Sequence, residues 1–125
     1  MNTPLIAIVD DDESVRIGTT SLVRSYGYDV QTYASAEDFL RSQERHNTAC
    51  IISDVQMPGI GGLDLQKILS AENSATPIIF ITAFPDADIR QLAMQAGAAG
   101  FLSKPFDGET LIHCLERVFG PAAPS

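Results

Sequence analysis

The chain has 125 residues, which is enough for one domain with its own hydrophobic core. Hydrophobic residues make up 45% of the chain, and this share argues against a disordered protein. The formal net charge of −8 argues against direct nucleic-acid binding, because phosphates are bound by Lys and Arg, and it favours a domain that binds cations or basic partner surfaces.

Five short apolar runs are predicted to be β-strands. The first, third and fourth are almost continuously apolar, which is typical of parallel strands that are buried on both faces. The second is more mixed and fits an edge strand. The runs are LIAIV (5–9), DVQTY (29–33), CIIS (50–53), IIFIT (78–82) and GFLS (100–103).

A segment with helical periodicity follows each strand. In the first, Val15, Leu22, Val23 and Tyr26 are predicted to form the apolar face, and the second begins with Ser35 as its N-cap. Five alternating βα units predict an α/β fold with a parallel sheet, helices on both faces and right-handed crossovers. The helical segments are 14–27, 35–45, 62–73, 86–98 and 107–120.

Polar residues follow or end four of the strands. Asp10 and Asp11 follow the first strand, Asp54 follows the third, Thr82 ends the fourth and Lys104 ends the fifth. Because ligands bind at the carboxyl ends of such strands, we expect these side chains to converge. Carboxylates suit Mg²⁺, and a carboxylate nucleophile can take up a phosphoryl group while a lysine stabilises its charge. The sequence therefore contains every group that phosphoryl transfer to Asp54 requires.

Four motifs together resemble the receiver domain of two-component response regulators. They are VDDDESVR (9–16), SDVQMPGIGGLDL (53–65), ITA (81–83) and FLSKPF (101–106), and the resemblance covers residues 4 to about 119. DDDESVR, SAEDFL, SDVQMPG and AGAAGFLSKPF resemble the FixJ-type subgroup more closely. The resemblance implies a single doubly wound (βα)5, flavodoxin-like domain whose parallel five-stranded sheet has the order 2-1-3-4-5.

The resemblance also implies a phosphoacceptor and a metal site. Asp54 would be the phosphoacceptor. Asp11 and Asp54 would bind Mg²⁺ directly, Asp10 would bind it through water, and the backbone carbonyl of Gln56 would complete the protein ligands. The expected activity is limited to self-phosphorylation and self-dephosphorylation, so we do not expect an enzyme that acts on other substrates.

A switch is implied in the same way. Lys104 and Thr82 would contact the phosphoryl oxygens, and a cis Lys104–Pro105 bond would aim the lysine. Thr82 and Phe101 would form the switch pair, and Gln56 and Phe84 would tune dephosphorylation. The output surface would be the face made by the fourth helix, the fifth strand and the fifth helix.

The implied partners are a sensor histidine kinase and a second copy of the chain after phosphorylation. Residues 1–120 would form the receiver domain, and residues 121–125 would begin a linker to a C-terminal DNA-binding output domain that this chain lacks. A natural single-domain receiver remains an alternative. We expect no binding of nucleic acid or membrane by this domain, and a cytoplasmic location, because neither a signal peptide nor a membrane-spanning run is evident.

Other interpretations of the same residues stay open. The main alternative is a pseudo-receiver that docks partners without phosphorylation. A haloacid-dehalogenase-type phosphohydrolase would need an acid where Gln56 stands, and nucleotide binding would need a glycine-rich first turn. Asp12 and Glu13 fit a helix N-terminus. We interpret Cys50 and Cys114 as reduced core residues, and His46 and His113 as surface residues, rather than ligands.

Overall fold

The computed structural model describes residues 3–120, in which five parallel strands alternate with five α-helices. The sheet order is β2-β1-β3-β4-β5, so the predicted flavodoxin-like topology is confirmed, with β2 at an edge. No helix within residues 3–120 has both the length and the apolar character needed to cross a membrane. The strands are β1 Leu5–Val9, β2 Asp29–Tyr33, β3 Cys50–Asp54, β4 Ile78–Thr82 and β5 Gly100–Ser103; the helices are α1 Glu13–Ser25, α2 Ala36–Arg41, α3 Gly62–Ala71, α4 Ala87–Gln95 and α5 Gly108–Phe119.

The sheet separates two apolar clusters. Alternate side chains of β1 point to opposite sides: Ile6 and Ile8 pack with residues of α1 and α5, whereas Ala7 and Val9 pack with residues of α2, α3 and α4. Every residue of β3 and of β4 is buried. The near-continuous apolar runs follow from this double coverage, because each side chain of a central parallel strand faces one of the two helical layers.

The second helix is shorter than predicted. It ends at Arg41, and a 3-10 helix, Gln43–Asn47, follows it, so the predicted helix over 35–45 is wrong at its end and His46 lies in this short helix. Ser42 separates the two elements because its backbone is extended, with ψ 140°. Its hydroxyl bonds to the Tyr33 hydroxyl at 2.8 Å and accepts the Glu44 N–H at 3.0 Å. Ser42 therefore caps a new turn instead of continuing the old one.

The fourth helix is attached to the rest of the fold by few contacts. Ala93 is its one fully buried side chain, whereas Leu92 and Met94 are 58% and 40% exposed. The amide nitrogen Nε2 of Gln66, a buried side chain of α3, donates to the Ala93 carbonyl at 3.1 Å. This side-chain hydrogen bond thus supplements the apolar contacts of Ala93 and of the partly buried Ile89.

Both cysteines lie in the core, as predicted. Cys50 in β3 and Cys114 in α5 are buried and free. Burial raises the pKa of the Cys50 thiol to about 12, so this thiol is protonated at neutral pH. A protonated, buried thiol is a poor nucleophile, and Cys50 is accordingly a packing residue.

The start of α3 is packed against the end of β3 so closely that only glycine fits. A Cβ at Gly62 would lie 2.5 Å from the Asp54 carbonyl oxygen and 2.9 Å from the Phe80 ring. We expect Gly62→Ala to lower the free energy of unfolding by about 1–3 kcal/mol, because backbone atoms would have to move. Urea denaturation measures this.

Gly18→Ala is the matched control for this prediction. Gly18 lies within α1, and a Cβ there would meet nothing within 4 Å. Alanine loses less backbone entropy than glycine in a helix, so we expect this variant to gain about 0.5–1 kcal/mol. Equal effects of the two substitutions would contradict the steric explanation.

Candidate functional site

Three carboxylates meet where the first and third strands end. Asp10, Asp11 and Asp54 each offer an oxygen, and these oxygens lie within 4.8 Å of one another. Asp10 is fully buried, Asp54 is buried and Asp11 is exposed. Asp54 is the last residue of β3, in register with Ile81 of β4, instead of following the strand as predicted. The sheet itself therefore fixes the backbone that carries this carboxylate.

Lys104 joins two of the three carboxylates. Its Nζ donates to Asp10 Oδ2 and to Asp54 Oδ2, at 3.0 Å in both cases. Its backbone N–H donates to the Thr82 carbonyl at 2.7 Å, which ties the residue to the end of β4, and the Lys104–Pro105 peptide bond is cis. One ammonium group thus pairs with two of the three clustered carboxylates, and negative charge remains in excess.

Two pKa values in this cluster are shifted upwards, for different reasons. Burial is the largest cause of the raised pKa of Asp10, and it outweighs the hydrogen bonds from the Asp12 N–H and from Lys104; the charge of Asp54 adds to it. Burial alone would lower the pKa of Lys104, but hydrogen bonds to Asp54 and Asp10, with their charges, raise it above its usual value. Lys104 is therefore charged at neutral pH, whereas ionisation of Asp10 costs more free energy than that of a solvent-exposed aspartate.

The loop after β1 is held by two hydrogen bonds. The Asp12 N–H donates to Asp10 Oδ1 at 2.8 Å, and the Arg16 guanidinium donates to the Asp10 carbonyl at 2.6 Å. The Asp12 carboxylate accepts the Ser14 N–H at 2.9 Å and so caps α1, as its sequence position predicts. Sequence reasoning missed the role of Arg16, although Arg16 is the last residue of the DDDESVR motif. The available signal was its position, six residues after Asp10.

The loop after β3 is tied to the site at one end and to α2 further along. The Gln56 N–H donates to Asp54 Oδ1 at 3.0 Å, whereas the Gln56 residue as a whole is exposed. The Ile60 N–H donates to Oε2 of Glu37 at 3.4 Å. Sequence reasoning missed Glu37 as well, because a contact across 23 residues leaves no local pattern.

The proposed switch residues occupy different environments. Thr82 is buried, and its hydroxyl oxygen accepts the Phe84 N–H at 3.1 Å. The Phe84 residue is 70% exposed. Phe101 is half-buried, and its ring centroid lies 6.4 Å from that of Phe80. Phe101 therefore rests on the apolar cluster beneath α3 and α4 without being enclosed by it.

The residues of this cluster are chemically suited to metal binding and to phosphoryl transfer. Carboxylate oxygens are the ligands that Mg²⁺ prefers, and the exposed Asp11 leaves the cluster open to solvent on one side. A carboxylate such as Asp54 can act as a nucleophile towards phosphorus. Lys104 already lies where negative charge would build up in such a reaction.

Known proteins are similar to this chain in sequence and in fold. A family model described as the response regulator receiver domain matches residues 6–116. Nodulation protein W of Bradyrhizobium diazoefficiens is 42% identical over 111 residues, which cover 89% of this chain and 49% of that protein. Transcriptional regulatory protein FixJ of the same species is 34% identical over 120 residues, which cover 96% of this chain and 58% of that protein.

Among solved structures, a response regulator receiver protein from Burkholderia phymatum superposes with a TM-score of 0.82 at 40% identity, covering 98% of this chain and all (100%) of that one. The chain spans about half the length of the curated relatives it matches. The family match includes β1 from its second residue, the other four strands and all four motifs. The chain therefore belongs to the response regulator receiver domain family, within the FixJ-type group of two-component regulators.

Proposed function

We propose that this receiver domain accepts a phosphoryl group on Asp54 from a sensor histidine kinase in a Mg²⁺-dependent reaction. The observation that carries the proposal is the position of the Lys104 ammonium, 3.0 Å from carboxylate oxygens of both Asp54 and Asp10. An ammonium held between two carboxylates is placed to stabilise the charge of an incoming phosphoryl group.

The residues present fit a magnesium ion. The three carboxylates form an all-oxygen donor set, and their shared negative charge exceeds what one lysine neutralises. Asp11 and Asp54 would bind the ion directly, Asp10 would bind it through water, and the Gln56 carbonyl would be the remaining protein ligand. When bound, the ion would supply positive charge that offsets the charge of the phosphoryl oxygens.

Apart from the metal ion, the transfer step uses the side chains already described. A carboxylate oxygen of Asp54 attacks phosphorus, a new P–O bond forms, and the bond between phosphorus and the donor atom breaks. With a phosphohistidine donor the imidazole nitrogen keeps the electron pair and takes a proton. With acetyl phosphate the leaving group is acetate. Lys104 turns from Asp10 and Asp54 towards the phosphoryl oxygens.

The proposed switch follows from the phosphoryl group on Asp54, whose oxygens are new hydrogen-bond acceptors. The phosphoryl oxygens attract the Thr82 hydroxyl, which gives up its bond with the Phe84 N–H. The movement of Thr82 opens space behind it, and Phe101 moves inward from its half-buried position. The changed surface is that of α4, β5 and α5. Gln56 and Phe84 flank the acceptor and control the access of the water that hydrolyses the phosphoryl group.

The proposed partners fit this output surface. Beyond the kinase they are a second phosphorylated copy, bound through the same α4–β5–α5 surface, and a DNA-binding output domain outside this chain. Residues 1–120 would be the receiver, and residues 121–125, which lie outside the described part, would begin the linker. The greater length of the relatives, among them a transcriptional regulatory protein, supports this division.

Intact-mass spectrometry after incubation with acetyl phosphate tests the proposal. We expect a single phosphoryl adduct in the presence of Mg²⁺ and no adduct in the presence of EDTA, because the crowded carboxylates then repel the donor. Light scattering on the same samples tests the dimer, and an unchanged monomer mass would count against it. The lack of any adduct, together with undetectable Mg²⁺ binding, would favour a docking module that acts without phosphorylation.

A further inference from the structure

We propose that Glu37 is a positioning residue whose carboxylate fixes the loop between β3 and α3, residues 55–61, and through it the metal and phosphoryl site. This inference deepens the proposed function and rests on it for its consequence. Glu37 itself lies on α2, which precedes the 3-10 helix and β3 in the chain. The contact therefore links two elements that are distant in sequence.

The contact runs from the carboxylate to the backbone of the loop. The Ile60 N–H donates to Glu37 Oε2 at 3.4 Å. The other oxygen, Oε1, is buried and has no hydrogen-bond partner among residues 3–120. A buried carboxylate oxygen without a donor costs free energy, so burial of this group needs a compensating role.

Gly59 shows how tightly the loop lies against this carboxylate. A Cβ at Gly59 would stand 2.4 Å from Glu37 Oε2, and the residue has φ +75°, which side chains rarely adopt. The positive φ favours glycine at this position, whereas the end of the flexible Glu37 side chain could move away from a Cβ. With glycine there, the loop backbone lies close to the carboxylate as the side chain now stands.

The helix dipole does not explain the position of Glu37. Its neighbour Asp38 also lies in the first turn of α2 and has the same favourable interaction with the helix N-terminus. The Asp38 side chain remains 49% exposed and pairs with Arg41. An acid in this turn can thus stay in solvent, so the burial of Glu37 Oε1 is better explained by the loop against which the carboxylate lies.

The same loop leads to the acceptor. Near its start the Gln56 N–H donates to Asp54 Oδ1 at 3.0 Å, and after its end the Gly62 N–H donates to the Val55 carbonyl at 2.9 Å. The first bond ties the start of the loop to β3, the second joins the start of α3 to the first residue of the loop, and Glu37 holds the part between them. Loss of the Glu37 carboxylate should free the middle of the loop and with it the Gln56 carbonyl.

The test measures amide hydrogen exchange by NMR and Mg²⁺ affinity by titration. In Glu37→Ala we expect the Ile60 amide to exchange about tenfold faster relative to the core amide of Ile52, because a hydrogen bond to a charged group is lost. We expect Mg²⁺ to bind about tenfold more weakly, which is the usual effect of removing a group that orients a metal ligand.

Two further variants complete the test. Asp38→Ala removes a first-turn acid of the same helix and should leave both quantities unchanged. Glu37→Gln retains an acceptor oxygen and should fall between the wild type and the alanine variant, and it serves if the alanine variant fails to fold. Unchanged Ile60 exchange in Glu37→Ala would overturn the contact, and faster exchange with unchanged Mg²⁺ affinity would overturn its role at the site.

The failure of the proposed function would be recognised separately. A wild-type chain that neither binds Mg²⁺ nor forms a phosphoryl adduct would contradict the receiver chemistry and, with it, any effect of Glu37 on that chemistry. The comparison of Ile60 exchange between wild type and Glu37→Ala needs no metal or phosphate. It would still decide whether the carboxylate fixes the loop.

Discussion

Asp54→Asn is expected to abolish the phosphoryl adduct completely. An amide has no anionic oxygen with which to attack phosphorus, and its neutral side chain also weakens the binding of a cation. The substitution keeps the size of the side chain, and the amide oxygen can still accept the Gln56 N–H. The fold should therefore survive, and intact mass after incubation with acetyl phosphate and Mg²⁺ measures the effect.

Asp29→Asn is the control for that substitution. Asp29 is exposed and begins β2, so it lies at the opposite end of the sheet from the carboxylate cluster. This variant should form the adduct like the wild type. An adduct that persists in Asp54→Asn would place the acceptor elsewhere, on Asp10 or Asp11, and would contradict the proposal.

Lys104→Ala is expected to destabilise the metal-free protein and to slow phosphorylation. It removes the ammonium that bridges Asp10 and Asp54 and leaves a fully buried carboxylate facing a second one. Breaking such a pair costs about 3 kcal/mol at neutral pH. Loss of the charge that stabilises the phosphoryl group should slow adduct formation by about 10²-fold. Urea denaturation and timed intact-mass measurements test the two effects.

The stability deficit of Lys104→Ala should depend on pH. The pKa of Lys104 is raised, so its stabilising effect is complete below the pKa of an unfolded lysine, a range that includes neutral pH, and fades only as pH rises through the folded value. The pKa of Asp10 is already raised and rises further without the ammonium. A raised carboxyl pKa leaves stability intact at acid pH and lowers it as pH rises through the folded value. The deficit should therefore be smaller at pH 4 than at pH 8.

Lys67→Ala provides the comparison for this lysine. Lys67 lies on α3 and is exposed, so its removal should change the free energy of unfolding by no more than about 0.5 kcal/mol. Its phosphorylation rate should match that of the wild type. Equal losses in the two variants would show that the bridge between Asp10 and Asp54 has no special importance.

The three inner strands β1, β3 and β4 were predictable because burial on both faces leaves a nearly continuous apolar run. Every residue from Ile78 to Thr82 is buried, and the uninterrupted apolar run reports this directly. The convergence of Asp10, Asp54 and Lys104 was predictable for a related reason. In a parallel sheet the residues after the strands share one edge, whatever their separation in the chain.

Contacts between distant segments were less accessible to sequence reasoning. Tyr26 was placed on the apolar face of α1 by its spacing, yet it is 45% exposed, because the helix ends at Ser25 and the chain turns there. Ser42 ended α2 through bonds that depend on Tyr33, nine residues earlier. Glu37 was visible only as a first-turn acid, since its partner Ile60 becomes a neighbour only in the folded chain. The roles of Thr82, Phe101, Gln56 and Phe84 stay predictions.

Under the proposed function, the weak attachment of α4 would limit the free energy that phosphorylation has to supply. A ligand must supply about 5.5 kcal/mol of differential binding to reverse a two-state population from 1:99 to 99:1. The buried Ala93, the partly buried Ile89 and one amide hydrogen bond, from Gln66 to the Ala93 carbonyl, hold α4 to the fold, so α4 would lose few contacts in a shift. Under the proposed function, a single covalent group at Asp54 would then suffice as the input, and substitutions at Gln66 should change the free energy that the switch requires.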